Sequence, residues 1–235
     1  CLVCMSARSI TDFSDAIDYL KTDRKLFTLF KFWIPKEKFV ELLIDKSGIS
    51  ICREDNGRFV FALGKRAPLR PEWSRISFER SSSWLKELTK YEKNEWEAYS
   101  LDVPSEPPLE LKEEPKNEEI EKFLKEHGPD LSVSPGNPEI VRWSSIRNDS
   151  GELEGVAAIC KWQSGEHVVA SVATHSARRN QGLGKKLMRV VSKELVTLGI
   201  KQVCLGVMSA NTSAIKIYEA VGYEKLFEFT YLNRE

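Results

Sequence analysis

The sequence predicts a mixed α/β protein of the α+β kind: a mostly antiparallel central sheet with helices flanking it, preceded by a second α+β region. Three observations predict this. β-branched runs are joined by short glycine-containing turns, strongly periodic helical segments alternate with further strands in the second half, and a proline- and carboxylate-rich stretch divides the chain. A length of 235 residues suits one large domain or two small ones, each able to bury a core. The dividing stretch, DVPSEPPLELKEEPKNEE, runs from Asp102 to Glu119, where prolines 104, 107, 108 and 115 among acids resist regular structure. It sets the expected domains at 1–104, of unknown role, and 105–235.

In the first region, KLFTLFKFWIPK from Lys25 mixes aromatics with lysines, as a nucleic-acid surface does. It reads instead as a core strand or helix with solvated lysines, because the chain has no basic excess. GISICREDNGRFVFALG reads as a hairpin, with Ile49 and Ile51 alternating before the turn Asp55-Asn56-Gly57 and Phe59 and Phe61 after it. Ser82 to Tyr99 reads as helical. Beyond the divide, LELKE is expected as a short strand, and Asn117 as the N-cap of a helix ending at Gly128. EIVRWSSIR and LEGVAAICKW flank the turn Asn148-Asp149-Ser150-Gly151 and should pair antiparallel. The turn Gln163-Ser164-Gly165-Glu166 leads to HVVASVATH, another strand. Leu187, Val190, Val191, Leu195 and Leu198 then recur at helical spacing before Gly199. KQVCLGVM is a strand, NTSAIKIYEAVGY a helix capped by Asn211 and ended by Gly222, and KLFEFTYL a closing strand.

Lys and Arg number 35 and Asp and Glu 35, so the formal charge is zero, which argues against a nucleic-acid or anionic-membrane partner. No apolar run approaches the ~20 residues that cross a bilayer, and CLVCMSARSI lacks the basic start and apolar block of a signal peptide. Met5 reads as a natural start, with the residues before it a remnant. Cys52, Cys160 and Cys204 lie in apolar, strand-like surroundings and read as buried free thiols of a reducing compartment. The Cys1/Cys4 pair has the C-x-x-C spacing of a redox motif or half a zinc site, yet no second pair follows, so no metal is expected. The expectation is a cytoplasmic protein.

RRNQGLGKK, from Arg178 to Lys186, sits between a strand and a helix. The first turn of a helix carries unpaired backbone N–H groups and the positive end of the macrodipole. Gly182 and Gly184 let an anion approach that backbone, and Arg178, Arg179, Lys185 and Lys186 add charge around it. Such a site suits a phosphate or diphosphate. It is not a P-loop, for G-x-x-x-x-G-K-[ST] is absent, nor the dinucleotide fingerprint, for Leu187 stands where a third glycine or alanine is needed.

With this turn, three matches make the chain from about Leu109 to Glu235 resemble the GNAT superfamily of acyl-coenzyme-A-dependent N-acetyltransferases. They are Arg179-x-x-Gly182-x-Gly184, the His175 before it, and Asn211-x-x-Ala214-x-x-x-Tyr218-x-x-x-Gly222-Tyr223. Ser176 replaces the proline usual in the family, and Thr174 a usual aliphatic residue. The resemblance implies a GNAT-type sheet split between two parallel strands, HVVASVATH and KQVCLGVM, to admit acetyl-coenzyme A. It implies that backbone groups of Val172, Ala173 and Thr174 bond the pantetheine arm, and that Arg179, Asn180, Gln181, Gly182, Leu183, Gly184 and Lys185 wrap the diphosphate, with Asn211 also near cofactor. It implies an acyltransferase that moves acetyl directly to an amine of a small molecule or peptide, as a monomer or homodimer. An alkylamine is mostly protonated at neutral pH, so a general base removes its proton. A strand N–H near Val172 would hold the oxyanion, and Tyr218 matches the family's tyrosine acid. His175 reads as a structural turn residue rather than the base, and Glu154 and Glu166, in or beside strands bordering the expected cleft, read equally as base candidates or as surface carboxylates. The alternative is a non-catalytic module that keeps coenzyme A binding. The N-terminal region shows no R-x-x-G-x-G, so even as a degenerate copy of the same fold it implies one cofactor site in the chain.

Overall fold

The computed structural model describes residues 7–128 and 132–234, so Cys1 and Cys4 lie outside the described residues. The chain forms two compact units. One holds the chain up to Ala98 with Met208–Ala210 and the residues from Lys225 onward; the other holds Tyr99–Val207 and Asn211–Glu224. The architecture is mixed α/β, largely antiparallel, with flanking helices.

The first unit begins with β1 (Arg8–Ile10), α1 (Phe13–Leu20) and α2 (Arg24–Trp33). Lys25-to-Trp33 is thus a helix that buries Leu29, Phe30, Phe32 and Trp33, as an aromatic core stripe with solvated lysines should. β2 (Phe39–Asp45), β3 (Gly48–Glu54) and β4 (Arg58–Leu63) form an antiparallel meander, and β5 (Arg75–Glu79) joins β4 in parallel. The expected hairpin is β3–β4, with Ile51 opposite Phe61 and the turn at Asn56-Gly57, both at positive φ. Trp73, Ile76 and Phe78 fill the core beneath it.

Ser82 to Tyr99 does not form the expected helix. Only α3 (Trp84–Glu87) is helical, and β6 (Lys93–Asp102) follows as a strand. The apolar residues Trp84, Leu85 and Leu88 satisfy a helical period over one turn only. Beyond them Trp96 and Tyr99, good strand formers, are taken up by sheet packing, where Ala98 and Tyr99 are fully buried.

In the second unit LELKE is not a strand. The Leu109 N–H and C=O are both taken by the Thr197 hydroxyl, at 3.1 and 3.2 Å, and flanking prolines leave no ladder to join. α4 (Asn117–His127) starts one residue earlier than expected, capped by Lys116 without a side-chain bond. β7 (Ile140–Arg147) and β8 (Leu153–Lys161) pair antiparallel, and β9 (His167–Thr174) pairs antiparallel with β8. α5 (Leu183–Thr197), β10 (Gln202–Met208) and α6 (Thr212–Ala220) follow, and β11 (Glu224–Asn233) runs antiparallel to β5. α5 buries Leu187, Val191 and Leu195 completely against β-sheet residues such as Ala157, Ile159 and Val203. One polar knot is set into this packing: Glu194 of α5 accepts from Arg142 at 3.1 Å and from the Ser144 hydroxyl, both on β7.

Candidate active site

Two devices open a cleft in the second unit. β9 and β10 pair in parallel only at their starts, through Val203↔His167 and Cys204↔Val168. The pairing ends there, so the strands part toward their C-terminal ends. β9 also carries a bulge: its register against β8 shifts between Val156 and Ala158, and Ser171 takes a left-handed φ of 48°. The Ser171 hydroxyl holds this strained corner by accepting from Val133 N–H at 2.9 Å and donating to Val133 C=O at 2.8 Å. Nothing in the local sequence signals a bulge at a serine.

The cleft that results has a volume of about 730 Å³. One wall is the end of β9, Val172, Ala173 and Thr174. Another is the turn and helix start from Arg178, with Arg179, Asn180, Gly182, Leu183, Gly184 and Lys185. The third comes from α6, with Asn211, Lys216, Ile217 and Tyr218. Of the residues expected to touch cofactor, all but the exposed Gln181 line the cleft. His127 and Lys216 also line it, and no motif pointed to either.

The two glycines of the turn serve different ends. Gly182 is the N-cap of α5 with φ 79°, in open space, and gives the backbone a left-handed corner that L side chains disfavour. Gly184 is ordinary in backbone, but a Cβ there would lie 2.5 Å from Ile217 Cδ1, so it lets α6 pack closely. The α5 ladder opens with Lys186 N–H donating to Gly182 C=O at 3.0 Å. The N–H groups of Leu183, Gly184 and Lys185 therefore precede the ladder, beside the cleft, at the positive end of the macrodipole. Lys185, Lys186, Arg189 and Lys193 continue the positive charge along a groove on the outside of α5.

Beneath the turn, the buried Glu154 carboxylate pairs with Arg178 and lies 3.9 Å from Lys186. Glu154 is thus committed to cations rather than free as a base. Glu166 precedes the start of β9, roughly 25 Å of strand from Thr174 at ~3.3 Å per residue, too far to serve the cleft. Asn211 caps α6, its Oδ1 accepting from Ala214 N–H at 3.2 Å. Tyr218 is 7% exposed, and burial pushes its hydroxyl up to about 12. His175 packs its ring on His127, centroids 4.2 Å apart, and its Nδ1 is buried without a hydrogen bond. Among the described residues no cluster of His, Cys, Asp or Glu is suited to a metal ion, and no helix is long and apolar enough to cross a membrane.

The family model described as "Acetyltransferase (GNAT) family" matches residues 95–223, more than half of the chain. No curated protein matches the sequence. Among solved structures, a GCN5-related N-acetyltransferase from Sphaerobacter thermophilus is 13% identical with a TM-score of 0.52, over 94% of this chain and 89% of that one. A GCN5-related N-acetyltransferase from Kribbella flavida is 15% identical with a TM-score of 0.52, over 96% and 97%. An acetyltransferase of the same family from Colwellia psychrerythraea is 12% identical with a TM-score of 0.52, over 98% and 100%. At such identities the likeness is one of fold.

Proposed function

The chain belongs to the acetyltransferase (GNAT) family, and from that premise we propose that it transfers acetyl from acetyl-coenzyme A directly to a primary amine of a small molecule or peptide. One observation carries the reading: the end of β9 beyond its pairing with β10, an open helix N-terminus and a buried tyrosine line a single cleft in the second unit. The three amides of Leu183, Gly184 and Lys185, with Arg178, Arg179 and Lys185 around them, fit a diphosphate in charge and donor count. The backbone of Val172, Ala173 and Thr174, facing the gap that β10 leaves, offers the donors and acceptors a pantetheine arm needs.

The thioester supplies the activated acetyl carbonyl. The Val172 N–H would hold the oxyanion that develops when the amine attacks. As the C–N bond forms and the C–S bond breaks, the nitrogen gives up one proton to water, and the sulfur requires one, which reaches it from water by way of the Tyr218 hydroxyl. Tyr218 offers that proton. A phenol at about 12 stays protonated throughout the working range. A thiol titrates near ~8.5, so complete transfer from Tyr218 is uphill by roughly 3 to 4 pK units, and the hydroxyl acts first as a hydrogen-bond donor to the leaving sulfur.

Calorimetric titration with acetyl-coenzyme A and a thiol-release assay over a panel of amines test the proposal. Tyr218→Phe should lower turnover about tenfold or more while coenzyme A affinity stays nearly unchanged. Binding without acceptor-dependent thiol release would instead mark a non-catalytic coenzyme A module. Unaltered turnover in the Phe variant at saturating substrate would remove Tyr218 from the chemistry.

A further inference from the structure

The turn between β9 and α5 departs from the resembling sequences at Ser176, which stands where they usually carry proline, and the proposed function makes no use of it. The structure gives this serine a partner. His127, the last residue of α4, is 7% exposed. Its Nδ1 lies 3.0 Å from the Ser176 hydroxyl and accepts from Ser176 N–H at 3.3 Å. An N–H donates only to a bare ring nitrogen, so the contact requires an imidazole with its proton on Nε2. Ser176 opens a 3-10 turn, and His175 before it has φ −51° and ψ 120°, a backbone that a following proline accepts. A proline ring would stiffen this corner covalently. A serine leaves it loose unless something holds its N–H.

We infer that His127 is a positioning residue: by accepting the Ser176 N–H it pins the entry to the diphosphate-binding turn in place of a proline ring, and it lets go when its imidazole is protonated. This rests on the coenzyme A reading of the cleft. The surroundings favour the bare ring. Burial, the adjoining His175 and Arg179 lower the His127 pKa below 6.5, and only Glu126 opposes them. Glu126, on the same helix, is exposed and 3.8 Å from Nε2, while Arg179 donates to the His127 carbonyl at 3.4 Å and Phe123 packs edge-on without charge. The folded pKa lies below the unfolded one, so the contact is complete above pH 6.5 and is lost as pH falls through the folded value.

The test titrates dephospho-coenzyme A into the full chain by calorimetry at about pH 8 and at a pH below the His127 transition that nitrogen NMR of the free chain locates. That probe keeps the diphosphate and lacks a phosphomonoester, a group that would itself titrate near ~6. Wild type should bind several-fold more weakly at the lower pH. His127→Asn, whose Oδ1 can take the place of Nδ1 but cannot titrate there, should keep the pH 8 affinity and lose the pH dependence. His127→Ala should bind about fivefold more weakly at pH 8, the worth of one hydrogen bond, and His127→Ala with Ser176→Pro should regain that loss. Alanine binding like wild type, no recovery in the double variant, or acid-tightened binding that Asn abolishes would each overturn the inference. Nitrogen NMR of the free chain decides the contact independently. An Nδ1 protonated above pH 6.5, or a Ser176 amide no better protected relative to its intrinsic exchange rate above pH 6.5 than below it, overturns it even if wild type fails to bind the probe. That failure, with the amide protected, would sink the coenzyme A reading alone.

Discussion

Replacing Gly184 by alanine separates packing from ligand approach at the α5 start. The new methyl would sit 2.5 Å from Ile217 Cδ1, with Ile217 Cγ1 and Cγ2 the next atoms at 3.5 and 3.8 Å. Only one methyl, the tip of a side chain, is in the way. Overpacking a core costs about 1–3 kcal/mol; because a side-chain tip can swing aside and Ile217 is only half-buried, the low end, about 1 kcal/mol, is expected. Ile217→Val removes that very methyl at a cost of about 0.5–1 kcal/mol alone. In the double variant the alanine methyl meets only atoms at ordinary contact distance. The two costs should therefore not add: coupling of about 1 kcal/mol should leave the double variant no less stable than Gly184→Ala. Urea unfolding followed at Trp143, buried on β7 of the same unit, measures all four midpoints. Gly182→Ala is the control. It has open space but φ 79°, so it should lose about 1 kcal/mol to backbone strain and gain nothing from Ile217→Val. Because the helix propensity of alanine offsets part of the ~1 kcal/mol expected for Gly184→Ala, the cycle rather than the single variant decides: Ile217→Val adding its full cost on top of Gly184→Ala would refute the steric explanation.

Three further outcomes follow from the same unit and its neighbour. Glu194→Ala strips Arg142 of a partner at a site where both side chains are 9% exposed, and should cost about 3 kcal/mol in urea unfolding, whereas Glu194→Leu with Arg142→Met should come close to wild type. Glu154→Gln frees Arg178, which is 43% exposed and compensated by water; the stability loss should stay near ~1 kcal/mol, while the KM for acetyl-coenzyme A rises a few-fold and kcat holds. Unchanged KM in steady-state kinetics would confine that ion pair to structure. Burial pushes the thiols of Cys52 and Cys160 up to about 12 and about 11, so a thiol reagent at neutral pH should label them only as fast as the chain unfolds.

What the sequence discloses here is what near neighbours decide. The α5 stripe of Leu187, Val191 and Leu195 needs only a period, and the β7–β8 and β8–β9 turns need only their glycines and polar residues. The strand–turn–helix order around Arg179-x-x-Gly182-x-Gly184 is likewise local, and it points to residues that line one cleft. Sequence and structure part where a distant partner decides. Ser82 to Tyr99 carries apolar residues that suit either period, and burial of Ala98 and Tyr99 in the sheet settles the matter for a strand. Leu109 reads as strand until Thr197 takes both its backbone groups. Gly184 looks like half of a phosphate motif, yet its missing Cβ is explained by Ile217 on α6. His127 lies 49 positions from Ser176, and only the fold brings them together.

A formal charge of zero and the anion binding proposed for the cleft are compatible because charge acts locally in salt water. At physiological ionic strength the screening length is about 8 Å, so carboxylates spread through the rest of the chain contribute little at the α5 N-terminus. Arg179, Lys185, Lys186, Arg189 and Lys193 gather at that helix start and along its outer groove, and Glu154, the carboxylate set among them, is buried and already paired with Arg178. The net balance therefore rules out strong steering of anions from afar, not their capture on arrival. Added salt should then slow association little, while it weakens the hold of the exposed cations and leaves the hydrogen bonds of the helix amides to the diphosphate largely intact.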